Sequence, residues 1–184
     1  MERVDYFKII NKYVSPESRL YATYVPHVVL VTAKALRVGR RLGLSEEQLR
    51  FIEEAGMLHD IGVTTVNAPQ LGATGALPYI RHITEGGRIL REEGLPRHAR
   101  VAENHTGVGL FADDVLSHKL DLPAQDYVVE TLEEKIISWA DIFFKKREEM
   151  LWRERTIEEA REEIAQYGER YAKIFEEWRE EFQE

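Results

Sequence analysis

Apolar residues recur three and four apart along most of the chain, and stretches of strict alternation are missing, so helices are predicted and strands are not. In "SPES", Ser15 is placed to cap a helix and Pro16 to open it. Leu20, Tyr24, His27, Val31, Val38 and Leu42 then form one row that runs toward Gly43. "SEEQ" reads as a capping box of Ser45 and Gln48, opening a helix with Phe51, Ile52, Ala55 and Leu58 on one face. Thr131–Glu134 and Thr156–Glu159 repeat the box, and Pro78 and Pro96 each stand where a helix can start. Residues 63–77 carry turn residues without a helical period and read as a loop. Residues 107–130 read as short helical turns broken by loops. No internal repeat interrupts this order. The expectation is an all-α, single-domain bundle of roughly seven to nine helices.

The last part of the chain has its own pattern. Ile157, Ala160, Ile164, Tyr167, Tyr171, Ile174, Trp178 and Phe182 step by three or four, nearly a heptad seam, with acidic residues on the other faces. At roughly 25 cal/mol per Å² of apolar surface, such a row does not stand free in water. The division expected is a helical body over residues 1–150 and, over residues 151–184, one amphipathic acidic helix packed on the body or on a partner subunit. The second arrangement would make a homodimer.

Composition narrows the function. The chain has 184 residues, 43% of them hydrophobic, which suits one domain with a sizeable core. It has no cysteine, so any metal site must use histidine, carboxylate or water. The net charge is -8, of which residues 148–184 supply -7 from 13 acidic and 6 basic residues. Neither part has the concentrated basic surface that would make a nucleic acid the main partner. The cluster "KALRVGRR" at Lys34–Arg41 reads as a solvated helix face. No apolar run approaches the roughly 18 residues of a membrane span, and no leader is visible, so a soluble cytoplasmic protein without a membrane partner is expected.

The chemistry lies in polar residues on apolar faces. His27 interrupts its helix row, and His59 with Asp60 in "MLHDIG" extends the face of Ile52 and Ala55. His82 adjoins Ile83, with Gly86 expected to leave room beside the ring. His105 follows Val101 and Ala102 at helical spacing, and Asp141 is the only charge within Ile136–Phe144. Burying each of these alone is costly. One or two metal ions would satisfy all of them together. His98, between arginines, and His118, in polar sequence, are expected on the surface, as is Glu103.

The order His27, His59-Asp60, His82, His105, Asp141 resembles the HD-domain superfamily of metal-dependent phosphohydrolases, in its HDIG subgroup. "HTGVG" and "LPAQDYVVETLEEKIISWAD" are similar to small archaeal and bacterial HDIG proteins, and "HTG" and "KIISWAD" to HD hydrolases that split diadenosine tetraphosphate. The resemblance implies an all-α bundle with a central metal site. It implies that His27, His59, Asp60 and Asp141 hold one ion and Asp60, His82 and His105 a second, with Asp60 bridging. Iron, manganese, cobalt, nickel and zinc all suit such donors. It further implies that a metal-activated hydroxide cleaves a phosphate ester or anhydride of a nucleotide or other small phosphorylated molecule, with Asp60 orienting the hydroxide. Many relatives place a basic residue just after the motif, where Val63, Thr64 and Thr65 stand here. Lys145, one helical turn after Asp141, and Arg81 are the candidates to replace it at the substrate phosphate. Thr106 and Gly107 could offer a hydroxyl and an amide. Two rival readings keep the fold: a diiron oxygenase using the same six ligands, and a non-catalytic regulator, against which the full ligand set argues.

Overall fold

Caps and apolar faces set most of the helix boundaries in the computed structural model, which describes residues 3–184. Nine α-helices are present among the described residues: α1 (Tyr6–Tyr13), α2 (Arg19–Arg41), α3 (Glu46–Leu58), α4 (His82–Glu92), α5 (Pro96–Asn104), α6 (Ala112–Ser117), α7 (Leu132–Ile142), α8 (Ile157–Ala165) and α9 (Glu169–Phe182). The only strands described, β1 (Asn67–Ala68) and β2 (Ala73–Thr74), pair antiparallel within the connection from α3 to α4. The fold is all-α. No helix among the described residues is long and apolar enough to cross a membrane.

The cap of α2 lies one turn later than the sequence suggested. Ser18 caps α2 by accepting from the Tyr21 amide, while Ser15 and Pro16 form the preceding turn. Gly43, at φ +73°, ends that helix in a conformation glycine adopts without strain. The Ser45–Gln48 box opens α3 in full. Thr131 caps α7, but the Glu134 carboxylate turns to the Glu130 amide and to Arg100, so only half a box forms.

The core has two main lobes. One packs α2, α3 and α7 around Val31, Ile52, Ile137 and Trp139. The other gathers Ile10, Tyr24, Leu58, Ile61 and Leu90 from α1 through α4.

The single C-terminal helix expected is two helices. Gly168, at φ +119°, breaks the seam, and Tyr167 beside it is exposed. Residue types alone carried the three-four pattern through this break. Beyond it α9 buries Tyr171, Phe175, Trp178 and Phe182, and α8 buries Ala160 and Ile164. They cover the chain's own body: the Trp139 ring lies 4.8 Å from that of Phe175 and 5.7 Å from that of Phe182.

The basic cluster is a solvated face only in part: Arg37, Arg40 and Arg41 are exposed, but Lys34 is not. Lys34 is buried, with Nζ 3.0 Å from Glu154 and 2.6 Å from Glu184, and it lies over the Phe143 ring. Arg37 pairs with Glu154 and Arg41 with Glu184. Lys34, Arg37 and Arg41 of α2 thus hold the acidic residues Glu154 and Glu184.

Candidate metal centre

Six side chains carried by α2, α3, α4, α5, α7 and the segments that end them meet in one cluster. α2 brings His27 on its buried face, and His59 ends α3. Asp60 follows directly, at the entry to a 3-10 turn over Ile61–Thr65. His82 is the first residue of α4, His105 follows the last of α5, and Asp141 lies in the last turn of α7. Ending a helix at the site gives several of these residues fixed backbones without committing them to a helix interior.

The approach of these elements depends on glycine. A Cβ at Gly62 would lie 2.0 Å from the His82 carbonyl oxygen and 2.4 Å from the Gly86 nitrogen, so the 61–65 turn rests directly on α4. Gly86 makes room for Ala102 and for this turn, not for the His82 ring as expected: a Cβ there would meet Ala102 Cβ at 3.1 Å and Gly62 N at 3.4 Å. Ser138, the other polar residue in the apolar run of α7, donates to the carbonyls of His105 or Gly107, each 2.8 Å away. It ties the end of α5 to the helix that carries Asp141.

Three imidazoles are oriented alike. His59, His82 and His105 each place Nδ1 within hydrogen-bonding reach of the carbonyl three residues back, at 2.7, 2.7 and 2.9 Å. With Nδ1–H donating, each Nε2 lone pair faces the cluster, a common way to fix a histidine ligand. The Asp60 carboxylate divides the group. Its Oδ2 lies 3.8 Å from His27 Nε2, while its Oδ1 lies 3.8 Å from His82 Nε2 and 3.7 Å from His105 Nε2. Asp141 Oδ1 lies 3.0 Å from His27 Nε2 and 3.6 Å from His59 Nε2. His27 and Asp141 are close, but neither atom has the geometry of a hydrogen bond.

The donor set suits cations. His27 Nε2, His59 Nε2, Asp60 Oδ1 and Asp141 Oδ1 are all buried without a hydrogen-bond partner. Polar atoms in that state are costly unless something binds them. His27, His59 and Asp141 stand close enough together to share an ion, as do His59, Asp60 and His105. Burial pushes His27 and His82 below the ordinary histidine value, and burial with the neighbouring His59 pushes His105 down to about 3. Neutral imidazoles are the form that ligates. Burial also works to lower His59, but Asp141 and Asp60 together outweigh it and the net shift is upward. Burial opposes the charge on Asp60 and Asp141, yet Lys146 and the histidines hold both below the usual carboxylate range.

Lys146 is the basic residue the sequence reading missed. Its Nζ lies 2.9 Å from Asp60 Oδ2. Lys145, the residue expected at the substrate phosphate, forms an ion pair with Glu163 of α8. The physical reason is that α7 ends at Ile142, so residues 143–146 do not continue its helical spacing. Burial works against the Lys146 ammonium, but Asp60, Tyr79 and Asp141 hold it well above the ordinary lysine value. Tyr79 was also missed. Its carbonyl is the one Nδ1 of His82 faces, its ring lies 4.7 Å from the His82 ring, and burial pushes its hydroxyl up while Lys146 pulls it down. Its position three residues before His82 was the signal available.

The other candidates divide. The Thr106 hydroxyl is buried without a partner beside His105. Gly107, at φ +56°, turns its carbonyl to Ser138. Arg81 is committed to Glu85 at 3.2 Å and approaches Asp121 at 3.8 Å. Glu103 pairs with Arg91 away from the cluster, and His118 is exposed, as expected. His98 is a correction. It is buried, with Nε2 3.5 Å from Glu54 and its ring against Phe51. Of the arginines around it in sequence, Arg97 lies over the same Phe51 ring and Arg100 pairs with Glu134 of α7.

Comparison with known proteins supplies a family. A model described as the HD domain matches residues 24–145. Two relatives are named tRNA (cytidine(56)-2'-O)-methyltransferase. The one from Picrophilus torridus is 34% identical over 118 residues, 64% of this chain and 30% of that protein. The one from Thermoplasma volcanium is 30% identical over 149 residues, 77% of this chain and 39% of that protein. An uncharacterized protein of Methanocaldococcus jannaschii is 36% identical over 108 residues, 57% of this chain and 56% of that one. The chain thus matches about a third of the methyltransferases and about half of the third relative. The crystal structure of the HD domain of the L. monocytogenes phosphodiesterase PgpH shares the fold, with a TM-score of 0.53 at 16% identity over 92% of this chain and 94% of that one.

Proposed function

The chain belongs to the HD-domain family, and from that premise we propose that it is a two-metal phosphohydrolase acting on a nucleotide or other small phosphate ester or anhydride. The observation that carries this reading is the division of the cluster by Asp60. One carboxylate oxygen faces His27 and the other faces His82 and His105, which suits a bridge between two ions. His27, His59, Asp60 and Asp141 would hold one ion, and Asp60, His82 and His105 the other. Bound there, divalent ions supply an activated water and neutralise phosphoryl charge.

The chain's own residues do the rest. The carbonyls of Gly56, Tyr79 and Ala102 hold three imidazoles in register, so little reorganisation remains when substrate arrives. The phosphodiesterase name of the structural neighbour favours phosphorus chemistry by analogy. Methyl transfer is not carried over from the two named relatives, since a cluster of imidazoles and carboxylates binds cations and offers nothing for a methyl donor.

The test is metal analysis of anaerobically purified protein, followed by a phosphatase and nucleotide panel with each metal restored. About two ions per chain and metal-dependent phosphate release are expected. Oxygen consumption with a mixed-valent iron signal, and no phosphate release, would overturn this reading in favour of the oxygenase.

A further inference from the structure

We propose that Lys146 is a tethered cation that competes with a metal ion for Asp60 and, once displaced, binds the phosphoryl group of the substrate; this rests on the phosphohydrolase reading above. Lys146 Nζ lies 2.9 Å from Asp60 Oδ2, the carboxylate oxygen that also faces His27. A divalent ion held by His27, His59, Asp60 and Asp141 would need that same oxygen. Two cations cannot both be close to it without strong repulsion in a buried site. One must leave.

The lysine is the one free to move. His59, His82 and His105 are held at Nδ1 by the carbonyls three residues back. Lys146 has a flexible four-carbon stem and lies beyond the end of α7 in non-helical chain. Among the described residues its only ion pair is the one to Asp60.

The direction it would take is set by the opening of the site. The side chains of His27, His59, Asp60, His82 and His105 are at most 5% exposed, whereas those of Asp141 and Lys146 are 16% and 15% exposed. Tyr79, whose ring lies 4.7 Å from that of His82, is 39% exposed as a residue. Asp141, Lys146 and Tyr79 are therefore the more exposed residues at the edge of the cluster, the side on which solvent would meet it. A phosphorylated molecule entering there meets the ammonium before it meets the buried donors. The two other basic candidates are committed, Lys145 to Glu163 and Arg81 to Glu85. Lys146 therefore fills the role of the basic residue absent after Gly62, from a different element.

The experiment has two readouts of opposite sign. In the full chain, Lys146→Met should bind Mn²⁺ alone at least tenfold more tightly at one site, by calorimetry. The Mn²⁺-loaded variant should bind inorganic phosphate at least tenfold more weakly than the loaded wild type. Lys146→Arg should keep phosphate binding near the wild-type value. Equal Mn²⁺ affinities, or a fall in both affinities, would overturn the proposal, the second result marking a merely structural lysine. Should the Met variant fail to fold, the wild type still decides. Reductive methylation followed by mass spectrometry should show Lys146 reacting faster after Mn²⁺ is added and slower again with inorganic phosphate. Uptake of metal with unchanged Lys146 reactivity sinks this proposal alone. A wild-type chain that takes up no divalent metal sinks the metal reading along with it. Displacement of Lys146 by metal without phosphate release from any substrate would overturn the hydrolase reading and the phosphoryl role, leaving only the competition.

Discussion

Asp60 is 1% exposed, yet it faces three imidazoles and an ammonium at once. Asp60→Ala removes the group that divides the cluster and leaves a buried lysine without its counter-charge. Metal content should fall from about two ions toward none, and any phosphate release should drop by roughly a thousandfold or more; an Asp60→Ala chain that keeps both ions would remove it from the ligand set. His98 behaves differently. Burial pushes its pKa below the ordinary histidine value, with Glu54 pulling the other way. Because the folded pKa is the lower, the unfolded chain takes up the proton first as pH falls below about 6.5, and stability is lost from there downward. His98→Gln should therefore lose less stability than the wild type between pH 7.5 and pH 5, by up to about 1 kcal/mol in urea midpoints. Equal losses would show that His98 does not titrate into the fold. The six metal candidates were legible because each is a polar residue on an apolar face. Lys146 and His98 were not. Lys146 required knowing that α7 stops at Ile142, and His98 required knowing that Phe51 and Glu54 of α3 lie opposite it.

At the scale of elements, the site depends on how the 61–65 turn seats against α4. A methyl group at Gly62 meets backbone at 2.0 Å, which no side-chain adjustment relieves. Gly62→Ala should cost about 3 kcal/mol or more, at the upper end for overpacking. Because the obstructing atom is the His82 carbonyl, the ion held by His82 and His105 should be lost before the other. Thermal unfolding with metal counting checks both parts, and a variant that unfolds earlier but keeps two ions would separate packing from the site. The same elements show how far local sequence carries. The Ser45 and Thr156 boxes formed in full because both partners are close in the chain. The Thr131 box formed by half, since Arg100 from another helix claims Glu134 at 3.0 Å. The break at Gly168 was hidden because helical spacing of residue types continues through it, and only the left-handed backbone there reveals it.

Across the whole molecule, the acidic tail is part of the body and part of the site's support. Lys34 and Arg41 hold Glu184, and Phe175 and Phe182 are fully buried against the ring of Trp139. Burying each large apolar side chain contributes roughly 1.5–3 kcal/mol. Four such residues in α9 therefore contribute an amount comparable to the whole stability of a domain, about 5–15 kcal/mol. Truncation after Arg155 should give a chain that aggregates or does not fold. A truncated chain that stays soluble and melts as the full chain does would show that these helices cover nothing. The link from tail to site runs through Glu163. It pairs with Lys145 and Arg155, and the Arg155 guanidinium in turn donates to the Ile142 carbonyl at the end of α7. Lys145 thus faces outward because the tail holds it there, and its neighbour Lys146 faces Asp60. Glu163→Ala leaves every metal candidate in place but releases the outer anchor of this segment. Mn²⁺ content should stay at the wild-type level, while inorganic phosphate binding to the loaded protein weakens by about three- to tenfold, the range of 1 kcal/mol of lost positioning. Unchanged phosphate affinity would mean that residues 143–147 are held by their own packing and that the tail stabilises the body without shaping the opening.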